Sequence, residues 1–130
     1  MNIIEIERSA CTLLELQPDS APRVRLLGDV LRVPVDDPHL VSTKAELVQS
    51  EWVHQLADSQ DAQGIWGHFH SQDMHLHTVF PTSECAIQRA LALGLDKDDE
   101  IPKKVIAYLE RLLNDSVLWT DRRSPKAGTA

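Results

Sequence analysis

Residues 52–77 read WVHQLADSQDAQGIWGHFHSQDMHLH, and this stretch determines how the helices on either side of it are joined. Within it, the pattern L-x3-Q-x3-G-x-W is formed by Leu56, Gln60, Gly64 and Trp66. Polar side chains at positions 58–63 compete for backbone hydrogen bonds and therefore favour leaving the helix. Gly64 supplies the backbone freedom that a tight reversal needs. The pattern predicts a clasp between one helix and the segment that follows it.

Trp66 returns a large apolar side chain to the structure, and its indole N–H needs a hydrogen-bond acceptor. Two roles fit Gln60 in this arrangement. It is either the acceptor of the indole N–H or a cap of the next helix. Both roles predict that Gln60 connects the end of one helix to the following segment.

At these positions the sequence resembles the QW repeat of the squalene-cyclase and prenyltransferase α/α-toroid superfamily, in which the motif ties outer helices to inner ones. The resemblance covers residues 52–114. Gln55 stands where the motif has an aromatic residue, and the basic and small residues further upstream in the motif are missing. The resemblance implies a partial toroid-like layer of helices. The alternative is a Trp-anchored turn in an unrelated helical domain.

Composition predicts one globular domain with an acidic surface. The chain has 130 residues, of which 42% are hydrophobic and 25% charged, and its formal net charge is −7. We expect a single helical domain over residues 1–119 and a flexible tail over residues 120–130. The acidic balance argues against nucleic acid or an anionic membrane as the main partner.

The sequence also predicts a cytoplasmic protein without a membrane span. No apolar run approaches the roughly 20 residues that cross a bilayer. The first ten residues carry acids and no basic segment, unlike a signal peptide. Cys11 and Cys85 lie far apart in the sequence without a CxxC partner, which favours buried free thiols in a reducing compartment.

Apolar residues recur at helical spacing along most of the chain. The predicted helices cover residues 2–17, a segment from a Ser20 cap to Pro34, residues 39–57 as one bent helix or two, residues 82–94 and residues 100–114. Asp37 followed by Pro38 predicts a helix start, Thr82 predicts a helix cap and Gly94 predicts a helix end. The clearest apolar stripe lies in the last of these helices and includes Ile101, Val105, Ile106 and Leu109. No strand pattern is convincing, so the predicted fold class is all-α, built from antiparallel helical hairpins. Residues 58–81 form a long connection, and such connections are often functional.

A complete toroid, by the fold of the resembling family, needs about a dozen helices, whereas this chain supplies five or six. Stacked helical layers that lack a neighbour leave an apolar face open. We therefore expect self-association, or completion by the remainder of a longer chain.

The first candidate site is the acidic run Asp96-Lys97-Asp98-Asp99. Clustered carboxylates resist joint ionisation, so one of them can remain protonated and donate a proton. The run matches the DxDD pattern that protonating terpene cyclases carry. The alternative is that Asp98 or Asp99 caps the helix that begins near Ile101. Aromatic residues that would stabilise a carbocation make up only 5% of the chain, so no catalytic residue is assigned.

The second candidate is a metal site in the long connection, with the predicted ligands His70, His75 and His77. Further donors nearby in the sequence are His68, Asp73, Glu84 and Cys85. Imidazoles with a carboxylate form a reasonable zinc shell, and an open position would allow water activation. The resembling prenyltransferases use an Asp/Cys/His zinc site, although these residues do not align with it one by one. Exposed loop histidines, or histidines that respond together to pH, are the alternatives.

The third candidate is a pocket for an apolar or planar ligand, lined by Trp66, His68, Phe69 and His70. Aromatic and imidazole faces beside a flexible glycine suit such a pocket. The alternative is that Trp66 and Phe69 anchor the long connection in the core. The sequence specifies no cofactor.

Together these features predict a binding or scaffold module for an isoprenoid-like or other apolar ligand, more consistent with a binding role than with an enzyme in these 130 residues. The alternative is a cyclase-like or metal-dependent enzyme that works only in a longer or assembled form. Resemblance in fold does not by itself carry function.

Overall fold

A computed structural model describes residues 2–67, 69 and 80–114, and the chain is helical there. Its helices are α1 (Ile3–Glu15), α2 (Ser20–Arg25) with a π-helical turn after it (Leu26–Val30), α3 (Pro38–Val48), α4 (Glu51–Ser59), α5 (Ser83–Leu93) and α6 (Glu100–Leu113). No β-strand occurs within the described residues, which confirms the all-α prediction there. None of the helices in this part of the chain is both long and apolar enough to cross a bilayer.

The chain divides into two compact units, Met1–His54 and Gln55–Ala130, and the boundary falls within α4. The predicted single domain over residues 1–119 remains a prediction. The predicted tail at residues 120–130 lies outside the described residues, as does the histidine-containing segment 70–79.

Local capping determines where the helices of the first unit begin. Asn2 and Glu5 form a reciprocal capping box at the start of α1. Asp37 accepts hydrogen bonds from two backbone N–H groups at the start of α3, where Pro38 takes the first helical position, as predicted. The predicted cap at Ser20 is wrong by one residue: Asp19 occupies the N-cap position, and Ser20 is the first residue of α2.

Residues 39–57 form two helices rather than one. α3 ends at Val48, and the Ser50 hydroxyl accepts a hydrogen bond from the Val53 N–H at 3.3 Å near the start of α4. A serine that caps a new helix is the local reason for the break.

The core of the first unit is small. Its buried residues are Ala10, Val24, Leu27, Leu40, Thr43, Leu47 and Val53. Arg23 in α2 forms an ion pair with Glu46 in α3 at 2.7 Å. The apolar residues of α1 are mostly exposed, and only Ala10 of that helix is buried, so the predicted apolar stripe of α1 has little to pack against in this unit.

The second unit contains the remainder of α4, the polar turn after it, and helices α5 and α6. Thr82 caps α5 by accepting a hydrogen bond from the Cys85 N–H, and Gly94 ends that helix with a φ of +100°, both as predicted. The core residues of this unit are Leu56, Ile65, Trp66, Phe80, Ala86, Ala90, Leu95, Ile101, Val105 and Tyr108.

Candidate functional site

Trp66 is held by three hydrogen bonds in the core of the second unit, where it is 1% exposed. Its indole N–H donates to the carbonyl oxygen of Leu56 in α4 at 3.0 Å. Its backbone N–H donates to the hydroxyl of Ser83 at 2.8 Å, and the same hydroxyl donates to its carbonyl at 2.9 Å. Trp66 therefore joins the end of α4 to the first residue of α5.

Gln60 has a different role from either of the two predicted ones. Its side-chain N–H₂ donates to the carbonyl oxygens of Gly64 at 2.9 Å and of Ile101 at 3.2 Å. The amide must be oriented in this way, because its oxygen would otherwise face two carbonyl oxygens. The amide oxygen is buried and meets no donor among the described residues. Gln60 thus connects the turn after α4 to the first turn of α6. The indole N–H of Trp66 donates to a different acceptor, the carbonyl oxygen of Leu56.

Gly64 permits a close approach between this turn and α6. Its φ is +96°, and a Cβ atom built there would lie 2.6 Å from the carbonyl oxygen of Lys104. Only glycine fits a backbone in that conformation at that distance. Together with Trp66 and Gln60, it forms the predicted clasp, which joins α4 to both α5 and α6.

A groove lies between α5 and α6, beside this clasp. It has a volume of about 240 Å³ and is lined by Trp66, Ile87, Ala90, Leu91, Lys97, Ile101, Pro102, Val105, Ile106 and Leu109. Among these residues, every side chain except that of Lys97 is apolar. Three of the large apolar side chains at its edge are strongly exposed, Leu91 at 55%, Ile106 at 40% and Leu109 at 37%. The arrangement can bind an apolar group.

The apolar residues of α6 differ in how much of their surface is covered. Ile101, Val105 and Tyr108 are buried. Ile106 and Leu109 are exposed, and they line the groove together with Ile101 and Val105. Ala90 on α5, which has a small side chain, also lines it. The predicted apolar stripe of α6 therefore has a buried part and an exposed part, and both contribute to the groove.

The acidic run lies in the connector between α5 and α6, and it forms local hydrogen bonds. The Asp96 N–H donates to the carboxylate of Asp99 at 2.7 Å, and the Asp98 N–H donates to the carboxylate of Asp96 at 2.9 Å. Asp99 occupies the N-cap position of α6, one of the two positions that the capping alternative named, but its side chain makes no capping hydrogen bond to that helix. These bonds account for the positions of Asp96 and Asp99 as parts of a turn.

The connector that supplies Lys97 to the groove is acidic as a whole. Residues 96–100 carry four carboxylates and one ammonium group, a formal net charge of −3. Lys97 belongs to this connector and lines the groove. The charged side chain of the described lining is therefore a cation, although the connector that carries it is acidic overall.

Two residues of the predicted aromatic pocket, Trp66 and Phe69, are described, and they have different neighbours. Trp66 lines the groove, whereas Phe69 stacks on Tyr108, with ring centroids 5.9 Å apart. The Phe69 carbonyl accepts a hydrogen bond from the Glu84 N–H at 3.1 Å. His68 and His70 lie outside the described residues. Both described aromatic residues thus anchor the long connection, and one of them also contributes to a groove.

The predicted metal ligands His70, His75 and His77 also lie outside the described residues. In the part of the chain that the structure describes, no three His, Cys, Asp or Glu side chains are grouped as metal ligands would be. Cys85 is half-buried and Cys11 is exposed, and both are free thiols. The prediction that both thiols are buried is therefore wrong for Cys11, which lies on the largely exposed α1.

Sequence reasoning missed two features of this site. Tyr108 is fully buried, and the Arg111 guanidinium lies 5.9 Å from the centre of its ring. Ser83 is also fully buried and binds both backbone polar groups of Trp66. The spacing of Tyr108 from Ile101 and Val105 was a signal that it shares their face. No sequence signal distinguishes Ser83 from an ordinary residue in a first helical turn.

The sequence matches no protein-family model, and comparison with curated proteins and with solved structures finds no significant similarity.

Proposed function

We propose that this chain is a helical binding module whose groove between α5 and α6 takes a small apolar ligand. The observation that carries the proposal is the lining of the groove, which is apolar apart from Lys97 and leaves Leu91, Ile106 and Leu109 exposed. Large apolar side chains that share one concave surface are typical of binding sites.

The size of the groove limits the ligand. Its volume of about 240 Å³ is below the range of roughly 300–1,000 Å³ for sites that bind drug-sized molecules. A branched chain of about ten carbons is a suitable occupant. Burial of each CH₂ contributes about 0.8 kcal/mol, and association costs at least about 4 kcal/mol, so we expect a Kd on the order of 1 mM.

The charge near the groove limits the ligand further. Lys97 is the charged side chain of the described lining, but the connector at residues 96–100 that carries it has a formal net charge of −3, which disfavours an anionic group near that connector. A neutral end group meets no such repulsion. We therefore propose a neutral isoprenoid-like compound, an alcohol or a hydrocarbon, rather than a diphosphate ester.

The clasp supports a relation to the α/α-toroid superfamily. All four residues of the L-x3-Q-x3-G-x-W pattern take part in joining α4 to the following helices, as the motif does in the family that the sequence resembles.

The test is a titration of the isotope-labelled protein with geraniol, a ten-carbon isoprenoid alcohol, followed by NMR of the methyl groups. We expect shifts at Ile87, Ile106 and Leu109 that saturate in the low millimolar range. Geranyl diphosphate should bind more weakly. Folded protein whose groove methyl signals stay unchanged up to the solubility limit of geraniol would refute the proposal.

A pair of matched variants locates the binding. Leu109→Asn places a polar group in the groove and should weaken geraniol binding by about tenfold, because an amide loses its hydration there. Leu113→Asn is the control, since Leu113 lies on the same helix, is 83% exposed and does not line the groove. Equal binding by both variants would place the ligand elsewhere.

A further inference from the structure

We propose that Lys97 determines the direction in which a ligand lies in the groove and selects a chain with a neutral oxygen acceptor at one end. The acceptor end lies at the Lys97 ammonium, beside the connector, and the hydrocarbon end lies between Ile87 and Leu109. The inference rests on the proposed function, because it concerns the ligand of the same groove. It narrows that ligand from an alcohol or a hydrocarbon to a compound with a terminal neutral oxygen.

Lys97 contributes two different surfaces to the groove. Nearly all of the described groove wall is apolar surface, although Lys97 is one of the lining residues and is itself exposed. A lysine meets both conditions when its methylene groups lie against the apolar wall and its ammonium group stays in contact with water. The ammonium therefore lies at the edge of the groove rather than in its interior.

The position of Lys97 in the chain places this ammonium at one end of the groove. Lys97 belongs to the connector just before α6, whereas Leu109 lies about 12 Å beyond Ile101 along that helix. On α5, Ile87 lies about 6 Å farther from the connector than Leu91 does. Aliphatic side chains line the far end within the described residues. The groove thus has a hydrogen-bond donor near the connector and an apolar wall along the rest of its length.

The Lys97 ammonium can donate to a ligand. Within the part of the chain that the structure describes, Lys97 forms no ion pair and no side-chain hydrogen bond. The carboxylates of Asp96 and Asp99 accept hydrogen bonds from backbone N–H groups of the connector, at 2.9 Å and 2.7 Å. An ammonium group has three N–H donors and no acceptor, so it binds an oxygen lone pair and repels another cation.

The sequence neighbours of Lys97 favour a neutral acceptor over an anion. Residues 96–100 have a formal net charge of −3 even though Lys97 is a cation. An anionic group at the ammonium would also lie near the carboxylates of the same connector, and their repulsion offsets the attraction of one ammonium. A hydroxyl oxygen accepts the hydrogen bond without that repulsion. A hydrocarbon lacks the acceptor and forms no such bond.

The test compares two ligands that share one carbon skeleton. Geraniol carries a hydroxyl group at its end, and geranylamine carries an ammonium group in the same place. Lys97→Met removes the charge of the side chain and keeps an unbranched apolar chain against the wall. Lys103→Met is the matched control, since Lys103 is an exposed lysine of α6 that is not among the described lining residues. NMR of the groove methyl groups gives each Kd.

The two ligands should respond to Lys97→Met in opposite directions. We expect geraniol to bind about three- to tenfold more weakly, because one hydrogen bond to a charged donor is lost. Geranylamine should bind about three- to tenfold more tightly, because the repulsion between two ammonium groups is removed while the connector carboxylates remain. Lys103→Met should change either Kd by less than about twofold. A mere change in the shape of the groove would weaken both ligands.

The direction of the ligand has its own measurement. In the complex of the wild-type chain with geraniol, we expect nuclear Overhauser contacts from the branched dimethyl end of geraniol to the methyl groups of Ile87 and Leu109. The CH₂ group beside the hydroxyl should contact the side-chain methylenes of Lys97. The reverse set of contacts, or equal contacts of both ends with Leu109, would overturn the inference.

The outcomes separate this inference from the proposed function. Geraniol that binds the wild-type chain and Lys97→Met equally well overturns the inference and retains the proposed function. Weaker binding of both ligands by Lys97→Met has the same meaning, because the lysine then only supports the wall. Folded wild-type protein that binds no geraniol refutes the proposed function, and the inference fails with it.

Discussion

The indole N–H of Trp66 donates to the carbonyl oxygen of Leu56 across 3.0 Å, ten residues earlier in the chain. The bond joins the last turns of α4 to the segment that leads to α5, and it lies in the buried core of the second unit. The acceptor is a backbone atom, so the contact depends on the identity of the tryptophan and on the position of the helix end. The stability of the second unit should therefore respond strongly to changes around this bond.

Replacement of Trp66 should show how much the clasp contributes to folding. We expect Trp66→Phe to lower the free energy of unfolding by about 1–3 kcal/mol, through loss of one hydrogen bond and part of a buried ring. Trp66→Ala should cost about 3–5 kcal/mol. Urea denaturation followed by circular dichroism measures both values. A loss below about 1 kcal/mol for the alanine variant would contradict a core role.

Gln60 should not tolerate a change from amide to carboxylate. Its side-chain N–H₂ faces two carbonyl oxygens, so Gln60→Glu replaces a donor with an acceptor and leaves both carbonyls facing a negative charge. We expect a loss of about 2–3 kcal/mol, measured by thermal and urea denaturation. Gln55→Glu is the control on the exposed surface of α4 and should change stability by less than about 0.5 kcal/mol.

Replacement of two glycines with alanine should change the free energy of unfolding in opposite directions. Gly64→Ala introduces a Cβ atom 2.6 Å from the Lys104 carbonyl at a φ of +96°, so we expect a loss of about 2–4 kcal/mol. Gly28 in the π-helical turn has open space where a methyl group would be added, with no atom within 4 Å. Gly28→Ala should raise stability by about 0.4–1 kcal/mol, because it restricts the unfolded chain. Equal effects of the two substitutions in urea denaturation would contradict the close approach at Gly64.

Ser83 should contribute more to the free energy of unfolding than an ordinary residue in a first helical turn does. Ser83→Ala leaves the N–H and carbonyl of Trp66 without their hydroxyl partner in a buried site, and we expect a loss of about 2–3 kcal/mol. Ser59→Ala removes a hydroxyl that bonds within an exposed helical turn, so its cost should be below about 0.5 kcal/mol. Thermal denaturation of both variants provides the comparison, and similar midpoints would contradict the role assigned to Ser83.

The helix boundaries were largely predictable because capping is local. Thr82, Gly94 and the Asp37-Pro38 pair each lie within a few residues of the backbone groups that they satisfy or the turn that they permit. The error at Ser20 has the same origin, since Asp19 and Ser20 are adjacent residues that both suit a cap. The general role of the L-x3-Q-x3-G-x-W stretch was also predictable, because its glycine and tryptophan follow a polar helix end.

The candidate site was less predictable, because burial depends on what packs against each helix. The periodicity of the sequence places four residues on one apolar side of α6: Ile101, Val105, Ile106 and Leu109. It does not show which of these side chains are buried by another helix. In the tertiary structure both Val105 and Leu109 line the groove, but Val105 is buried whereas Leu109 is exposed.

The sequence by itself determined the helical class, most helix ends and the presence of a clasp, since these depend on residue type and on neighbours within about one helical turn. Tertiary structure alone decided the acceptor of the Trp66 indole, the two carbonyls that Gln60 binds and the groove between α5 and α6. Each of these depends on distances between residues far apart in the chain, such as Gln60 and Ile101, which lie 41 positions apart. Such distances arise only when the helices pack, and residue spacing along one helix does not specify them.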